Sequence, residues 1–387
     1  MPRATAVPVT PLVVTWAVTD SGYPLDELAA VAGVSPEAIT SWGAGESQPS
    51  LTQLRALANK IKRPLATFLL PEPPKLPAPM LEFRSPPGVE RRQLNPSERR
   101  AVRDAARLQR VLSWIVSELR LGQDKVPRVS TRAAIENEAA RARSTIGIGV
   151  REQEQWTSSS AAFQGWRAAL EKSGIFVLVL PMGADSCRGF SLWDDFAPVI
   201  AVNTAGWNAE ARIFSLFHEY AHLLTRTNSA CIEAIDRRTS APSDPVERWC
   251  EQFAAATILP VEQLRKLLEE HGWRRVTDVE VVRRIARHFK ASVRATTLRL
   301  IDLGVAQRNL YASLPQSADR NPRGGGGAGR DRTRLRNDQY GARTMQLFRT
   351  ALERDVVSSG DVLDYLDVPP AALRASIGEE LPPGEIE

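Results

Sequence analysis

The sequence predicts an α+β fold that extends over more than one domain. Its 387 residues exceed the length of an average domain, and a composition of 43% hydrophobic and 25% charged residues is ordinary for globular proteins. The N-terminal part has the apolar spacing of short helices. Further along the chain, strand-like apolar runs cluster first and helical segments follow. Strands and helices that segregate in this way are typical of α+β domains.

The N-terminal part is predicted to be entirely helical. Apolar residues recur at helical spacing from Leu25, and Ser35 with Pro36 offers the N-cap and first residue of a second helix. A third helix is predicted to begin near Ser50. The run PEPPKLPAP at 71–79 excludes a helix or a central strand, so it is predicted to be a linker.

A long helix is predicted from Pro96 to Leu121, with an apolar seam and a basic stripe beside it. The stripe consists of Arg99, Arg103, Arg107 and Arg110. Its plain interpretation is a solvated face that keeps the helix soluble. The alternative is that these arginines supply contacts to a nucleic-acid backbone.

Positive charge is concentrated around this helix. The net charge of +5 favours a nucleic-acid partner. However, residues 73–150 hold fifteen Lys and Arg against eight Asp and Glu, whereas residues 1–72 hold five against six. The N-terminal helices are therefore slightly acidic, and the excess lies between Arg84 and Arg143.

The second half of the chain is predicted to contain strands and then helices. Buried strands are predicted in GIFVLVLP (174–181), GFSLW (189–193) and APVIAVN (197–203). Helices are predicted at about 208–225 and 245–258, from Pro260, and at 278–289 and 292–303. A glycine-rich linker (315–339) and a tail of two or three small helices follow.

The sequence HEYAH at 218–222 carries the clearest chemistry. Histidines four residues apart project from one face of a helix, so His218 and His222 can bind one zinc ion. Glu219 lies about 100° round the helix, where it can approach a water on the same metal. Two ligands and a general base in this spacing are the HExxH pattern of zinc peptidases.

A zinc site of this kind needs a third protein ligand. The spacing favours Glu247 or Glu251, one turn apart on the next predicted helix, because a packed helix holds a ligand more firmly than a loop. Three acidic residues of the intervening loop stay open as alternatives: Glu233, Asp236 and Asp244.

Two segments resemble the ImmA/IrrE family of metallo-endopeptidases. RIFSLFHEYAH (212–222) is similar to the family's R-x-x-F-[ST]-L-x-H-E-x-x-H motif, and VERWCEQFAAATILP (246–260) to its second motif. The resemblance extends over about 131–310. It implies a zincin-like fold, cytoplasmic proteolysis of a regulatory protein, and Glu247 as the third zinc ligand. The sequence departs from the second motif where Cys250 and Glu251 replace the usual Ala-Asn.

Residues 25–70 resemble a helix-turn-helix of the Xre/Cro type, through Trp42, Gly45 and Pro49 and the leucine spacing that follows. The resemblance implies that 35–41 form a recognition helix in the major groove. Its candidate base contacts are Ser35, Glu37, Thr40 and Ser41. This helix has no Lys or Arg, and Gly43 stands where the family usually has Glu, so protein docking or autoinhibition is a competing role.

The combined prediction is a multidomain α+β protein in four parts. These are a helix-turn-helix module (1–72), a linker with a basic connector helix (73–130), a zincin-like metallopeptidase domain (131–315) of a small sheet plus helices, and a glycine-rich linker with a helical tail (316–387).

The predicted function is zinc-dependent cleavage of a specific regulatory protein, with Glu219 as general base. Zinc is the expected cofactor and manganese the alternative. The expected partner is a repressor, antitoxin or toxin, with DNA left open as a second one and the oligomeric state not set. The competing hypothesis is a DNA-binding regulator or antitoxin whose metal site is not used for proteolysis. The sequence has no apolar run of membrane-spanning length, no signal-peptide pattern and three scattered cysteines, so we expect a cytoplasmic protein.

Overall fold

The computed structural model describes residues 6–74, 94–122, 126–227, 229–231, 245–315, 317–320 and 332–368. These residues form two compact units. The first contains the described residues up to position 74 together with 94–104, and the second contains those from Ala105 onward. The boundary lies inside the predicted connector helix, and the four-part domain division stays a prediction. Among the described helices, none is both long and apolar enough to cross a bilayer.

The first unit consists of helices. In chain order they are α1 (Pro11–Ser21), α2 (Leu25–Ala32), α3 (Pro36–Ala44), α4 (Leu51–Ile61), a turn of 3-10 helix (Leu65–Leu69) and the first part of α5 (Pro96–Glu118). Ser50 and Gln53 form a capping box that starts α4. Leu28, Ile39, Trp42, Leu54 and Phe68 are buried in one core. The predicted helices are confirmed, and α1 is an addition.

Gly43 allows α3 to approach α1 closely. A β-carbon at this position would lie 2.6 Å from the Thr15 hydroxyl oxygen. A side chain at this position would have to displace the Thr15 hydroxyl, which gives a packing reason for the absence of the glutamate usual in the family pattern.

Three sequence expectations need correction. The glycine-rich linker predicted over 315–339 ends earlier, because a helix spans Arg332–Tyr340. The connector helix ends at Glu118 rather than Leu121, because Arg120 takes a left-handed φ of 49° and ends the helical path. Ser35 occupies the N-cap position of α3 with extended backbone, but its side chain makes no capping hydrogen bond.

The second unit holds a small sheet among many helices. After the rest of α5 come α6 (Ile135–Ile146), α7 (Val150–Gln155), α8 (Ser159–Lys172), β1 (Phe176–Leu180), β2 (Gly189–Leu192), β3 (Val199–Asn203), α9 (Ala209–Thr225), β4 (Ser229–Cys231), α10 (Pro245–Ile258), α11 (Val261–Glu270), α12 (Val279–Phe289), α13 (Val293–Asp302), α14 (Arg308–Ala312), α15 (Arg332–Tyr340), α16 (Ala342–Glu353) and α17 (Ser359–Leu366).

The four strands are in the order β1-β3-β2-β4. β1 is parallel to β3, whereas β2 is antiparallel to both β3 and β4. α8 packs on β1 and α9 packs on β2 and β3, where Val177, Ile200 and Val202 join the main core. The bounds of the three predicted strands are confirmed within one or two residues, and the sheet packs against α9.

A buried polar pair fixes the end of α10. Arg143 donates to the Gln153 side-chain oxygen at 2.8 Å and to the carbonyl of Thr257 at 2.9 Å. Gln153 in turn donates to the carbonyls of Ile258 and Phe289 at 3.0 and 2.8 Å. Burial lowers the pKa of Arg143 to about 10, so it stays charged at neutral pH. Helices from four parts of the chain therefore meet at these two side chains.

A second buried pair, Arg167 and Glu171 of α8, holds the C-terminal helices. Arg167 bonds to Glu171 at 3.1 Å and donates to the carbonyl of Asp338 in α15. The Glu171 carboxylate accepts from the backbone amides of Ala342 and Arg343, at 3.1 and 3.3 Å, at the start of α16. A carboxylate at a helix N-terminus is favourable because it meets unsatisfied amides and the positive end of the helix dipole.

We predict that Gly341→Ala weakens this attachment. Gly341 has a φ of 86°, and a β-carbon there would collide with the Glu171 carboxylate. Strain and displacement of the pair should cost about 1–3 kcal/mol of unfolding free energy. Amide hydrogen exchange over 342–353 should speed up, whereas the control Gly360→Ala, with 3.6 Å to its nearest atom, should not accelerate it. Equal exchange in both variants would contradict the prediction.

Candidate metal centre

Helix α9 carries the central residues of the site. The Asn208 side chain accepts from the Ala211 amide at 2.8 Å and starts the helix, which confirms the predicted beginning. Because α9 packs between the sheet and α10, its polar residues His218, Glu219 and His222 are all buried. Burial of polar groups costs free energy unless they have hydrogen-bonding or ionic partners, so the neighbours of each side chain indicate its role.

His218 and His222 point their ring nitrogens at one position. Their Nε2 atoms lie 3.1 Å apart. Two nitrogens on a tetrahedral zinc ion at about 2.0 Å are separated by about 3.3 Å. The spacing predicted from the sequence therefore produces a pair of nitrogen donors that fits one metal ion.

Glu247 of α10 completes the group. Its Oε2 lies 3.3 Å from Nε2 of His218, and its Oε1 lies 3.5 Å from Nε2 of His222. All three ligand atoms lie within 4.8 Å of one another. In the described part of the chain this is the group with metal-ligand geometry, and Glu251 is not a member of it. The loop alternatives Glu233, Asp236 and Asp244 lie outside the described residues.

Without a metal, the charges of the histidines and Glu247 shift the pKa values of His218 and Glu247. Burial lowers the pKa of His218, but the Glu247 carboxylate outweighs burial and raises that pKa to about 9. Burial raises the pKa of Glu247, but hydrogen bonds with His218 and His222 outweigh it, so that this pKa lies well below its usual range. Glu247 is thus held ionised, which is the form that binds a cation.

Glu219 lies beside the group, where β2 makes room for it. A β-carbon at Gly189 would lie 3.2 Å from Cγ of Glu219 and 2.8 Å from the Ala201 carbonyl oxygen. The absence of a side chain at Gly189 therefore lets the strand approach the carboxylate. Sequence reasoning identified the strand GFSLW but not this role of its glycine, and the signal was a glycine at the start of a buried strand.

Tyr220, within the HEYAH sequence, and His271, at the end of α11, lie in different surroundings. Tyr220 is buried with its ring 6.1 Å from that of Phe253, and burial raises its pKa. His271 contacts the Leu267 carbonyl and stacks on Trp273. Both therefore have packing or capping contacts away from the three-residue group.

The candidate base contacts of the helix-turn-helix lie on α3. Ser35, Glu37 and Thr40 are exposed and Ser41 is half-buried. Thr40 donates to the Pro36 carbonyl, and Ser41 bonds to Ser47 at 3.0 Å and to Glu46 at 3.3 Å. A hydrogen bond from Ser35 lowers the pKa of Glu37. This face of α3 is polar and negative.

The structure divides the arginine stripe. Arg99 donates to the carbonyls of Leu94 and Thr19, and Arg103 to the carbonyl of Ile61, all within the first unit. In the second unit, Arg107 lies 5.7 Å from the Tyr365 ring centroid. Arg110 is exposed. Three of the four arginines thus have contacts that support the solvated or structural interpretation.

We predict that zinc binding at neutral pH releases protons. His218 must lose its proton before its nitrogen can bind the metal, so the apparent zinc affinity should rise with pH up to about 9. Calorimetric titration in buffers of different ionisation enthalpy measures the released protons. The control His288→Gln, whose ring contacts Glu154, should release as many as the wild type. A titration heat that is independent of the buffer would contradict the assignment.

Comparison with known proteins agrees with this geometry. Residues 170–300 match the model of the IrrE N-terminal-like domain of peptidase family M78, and residues 19–68 match a helix-turn-helix model. Searches of curated proteins and of solved structures found no match. The first match contains the three-residue group and Glu219, and the second contains α3. The chain therefore joins a helix-turn-helix domain to a metallopeptidase-type domain of the IrrE family.

Proposed function

We propose that this protein is a zinc-dependent endopeptidase that cleaves one regulatory protein and thereby controls transcription. The observation that carries the proposal is the convergence of His218, His222 and Glu247 beside the buried carboxylate of Glu219. A site that served only to hold a metal would not need this fourth residue. Its substrate class is a repressor, antitoxin or similar partner, as the helix-turn-helix on the same chain suggests.

The donor set favours zinc. Two imidazole nitrogens and one carboxylate are a common ligand set of catalytic zinc sites, which leave a fourth position open. Manganese is the alternative, although it prefers more oxygen ligands. When bound, the metal polarises the scissile carbonyl and lowers the pKa of a water molecule.

Glu219 is proposed to move the proton. Its carboxylate accepts the proton of the attacking water and delivers it to the leaving amine nitrogen as the peptide bond breaks. Its position beside Gly189, buried against β2, holds the carboxylate in place and excludes bulk water. No other acidic residue belongs to the same helical turn between the two histidines.

The helix-turn-helix is proposed to place the peptidase near its substrate, either by binding DNA or by binding the substrate protein itself. The competing function is a DNA-binding regulator or antitoxin whose metal site is not used for proteolysis, and the helix-turn-helix match is the observation that favours it. The two proposals differ in what Glu219 must do, since a regulator does not require a general base.

We predict that Glu219→Gln retains the fold and zinc but loses cleavage by about 10²–10⁴-fold. Amide and carboxylate have nearly the same size, so only the proton acceptor is removed. Sequencing of new protein N-termini in cells that express wild type or variant measures cleavage without a known substrate. The exposed Glu269→Gln of α11 is the matched control and should cleave like the wild type.

If Glu219→Gln generates the same new N-termini as the wild type, the general-base role is wrong. If the wild type binds zinc and DNA but generates none, the regulator is the correct function. Loss of zinc from the variant would instead assign Glu219 to the ligand shell.

We predict that the double substitution Glu37→Gln and Glu46→Gln strengthens binding to duplex DNA. Glu37 lies in the first turn of α3 and Glu46 just after its end, and both exposed carboxylates repel phosphates. Fluorescence anisotropy at several salt concentrations should show that the double variant binds DNA more tightly than the wild type, most clearly at low salt. Glu72→Gln, outside the matched segment, is the control. Unchanged affinity in the double variant would mean that this face of α3 does not meet DNA.

A further inference from the structure

We propose that Thr227 is a positioning residue of the metal site, which rests on the proposed metal function. Its hydroxyl oxygen accepts a hydrogen bond from the Nδ1–H group of His222, and this bond orients the Nε2 atom of the ring towards the metal. The two atoms, Oγ1 of Thr227 and Nδ1 of His222, lie 2.9 Å apart. Thr227 lies outside the HExxH pattern, five residues after His222, and no sequence motif marks it.

The end of α9 sets the position of Thr227. The Thr227 amide donates to the His222 carbonyl at 3.0 Å, and the Arg226 amide donates to that of Leu223 at 3.3 Å. These two bonds, with a left-handed φ of 59° at Arg226, form a Schellman motif. The motif turns the chain back over the last helical turn, so the hydroxyl of Thr227 meets the ring of His222.

Arg226 stabilises this turn although glycine is the usual residue there. Its guanidinium lies 3.4 Å from the ring centroid of Trp193. It also donates to the carbonyls of Leu223 and Val126, both at 2.6 Å. A non-glycine residue with positive φ persists when its surroundings fix it, and these contacts do so.

A second threonine gives the hydrogen bonds a consistent direction. Oγ1 of Thr225 lies 2.9 Å from Oγ1 of Thr227 and 3.0 Å from the Ala221 carbonyl oxygen. The Thr225 hydroxyl also lies 3.2 Å from the His222 carbonyl oxygen. Carbonyls can only accept, so Thr225 donates to one of these two carbonyls and accepts from Thr227. The hydroxyl hydrogen of Thr227 thus goes to Thr225 or to the His222 carbonyl oxygen at 3.4 Å, and towards Nδ1 of His222 the Thr227 oxygen accepts.

The direction of this relay matters for the metal. In the metal-loaded protein it would keep the proton of the neutral ring on Nδ1 and leave the lone pair of Nε2 for the metal, on the side of His218 and Glu247. The reverse direction would aim an N–H group into the ligand cluster. Metal-binding histidines generally donate their second N–H to an oxygen acceptor, which fixes both ring and tautomer. The thiol of Cys250 also lies near Nδ1, at 3.8 Å, and is a much weaker acceptor.

The test compares zinc affinities by competition with a chromophoric chelator. Thr227→Val removes the hydroxyl and keeps the shape, and should weaken zinc binding by about 10–100-fold. Thr227→Ser should restore it. Thr225→Val leaves the turn intact, breaks only the second link and should weaken binding by a smaller factor. Thr297→Val, whose hydroxyl donates to the Val293 carbonyl within its own helix, is the control that should bind like the wild type.

A second readout follows the ring directly. The ¹⁵N chemical shifts of His222 in the zinc-loaded wild type should show a protonated Nδ1, and in Thr227→Val that proton should exchange faster with water. Equal zinc affinity of wild type and Thr227→Val overturns the inference. Equal weakening in Thr227→Val and Thr227→Ser overturns it too, since the turn and not the hydroxyl would then matter. A wild type that binds no zinc overturns the proposed function itself, which separates the two failures.

Discussion

The second unit depends on the contact between α9 and α10. Two imidazoles and a carboxylate are taken out of water there, and each would be costly alone. They are tolerated because Glu247 faces both histidines at 3.3 and 3.5 Å. The surrounding core of aromatic and aliphatic residues excludes water and fixes the distance between the helices. The three-residue group is therefore a product of helix packing, which sets the distances between its candidate ligand atoms.

The same solution to buried charge occurs twice more in this unit. Arg143 bonds to Gln153 and a helix-end carbonyl, and Arg167 bonds to Glu171 and to carbonyls of α15. In each case the polar group ends at the terminus of a helix, where backbone atoms need partners. The first pair steadies the end of α10 whose beginning carries Glu247. The second attaches the C-terminal helices to α8, whose other contacts include β1 and α9.

The sequence predicts those features that depend on local spacing. The bounds of α9 and α10, the three strands and the pair His218–His222 follow from periodicity and caps. Features that depend on tertiary approach were not predictable in this way. α1 is rich in β-branched residues, and its helical state depends on packing against α3 and α4. Spacing alone did not separate Glu247 from Glu251. That distinction depends on the orientation of α10, which follows from the packing of the whole domain.

Most arginines of the basic stripe contact other parts of the protein. The arginine-rich stretch suggested a surface for nucleic acid, but Arg99 and Arg103 bond to backbone carbonyls of the first unit and Arg107 lies over an aromatic ring. A guanidinium that satisfies a helix-end carbonyl keeps its charge but loses the freedom to follow a phosphate backbone. The exposed surface of α3 and of the turn after it, by contrast, carries Glu37 and Glu46. Binding of DNA by this helix-turn-helix would therefore rely on base contacts and shape more than on net charge, whereas a basic partner protein would find complementary charge there.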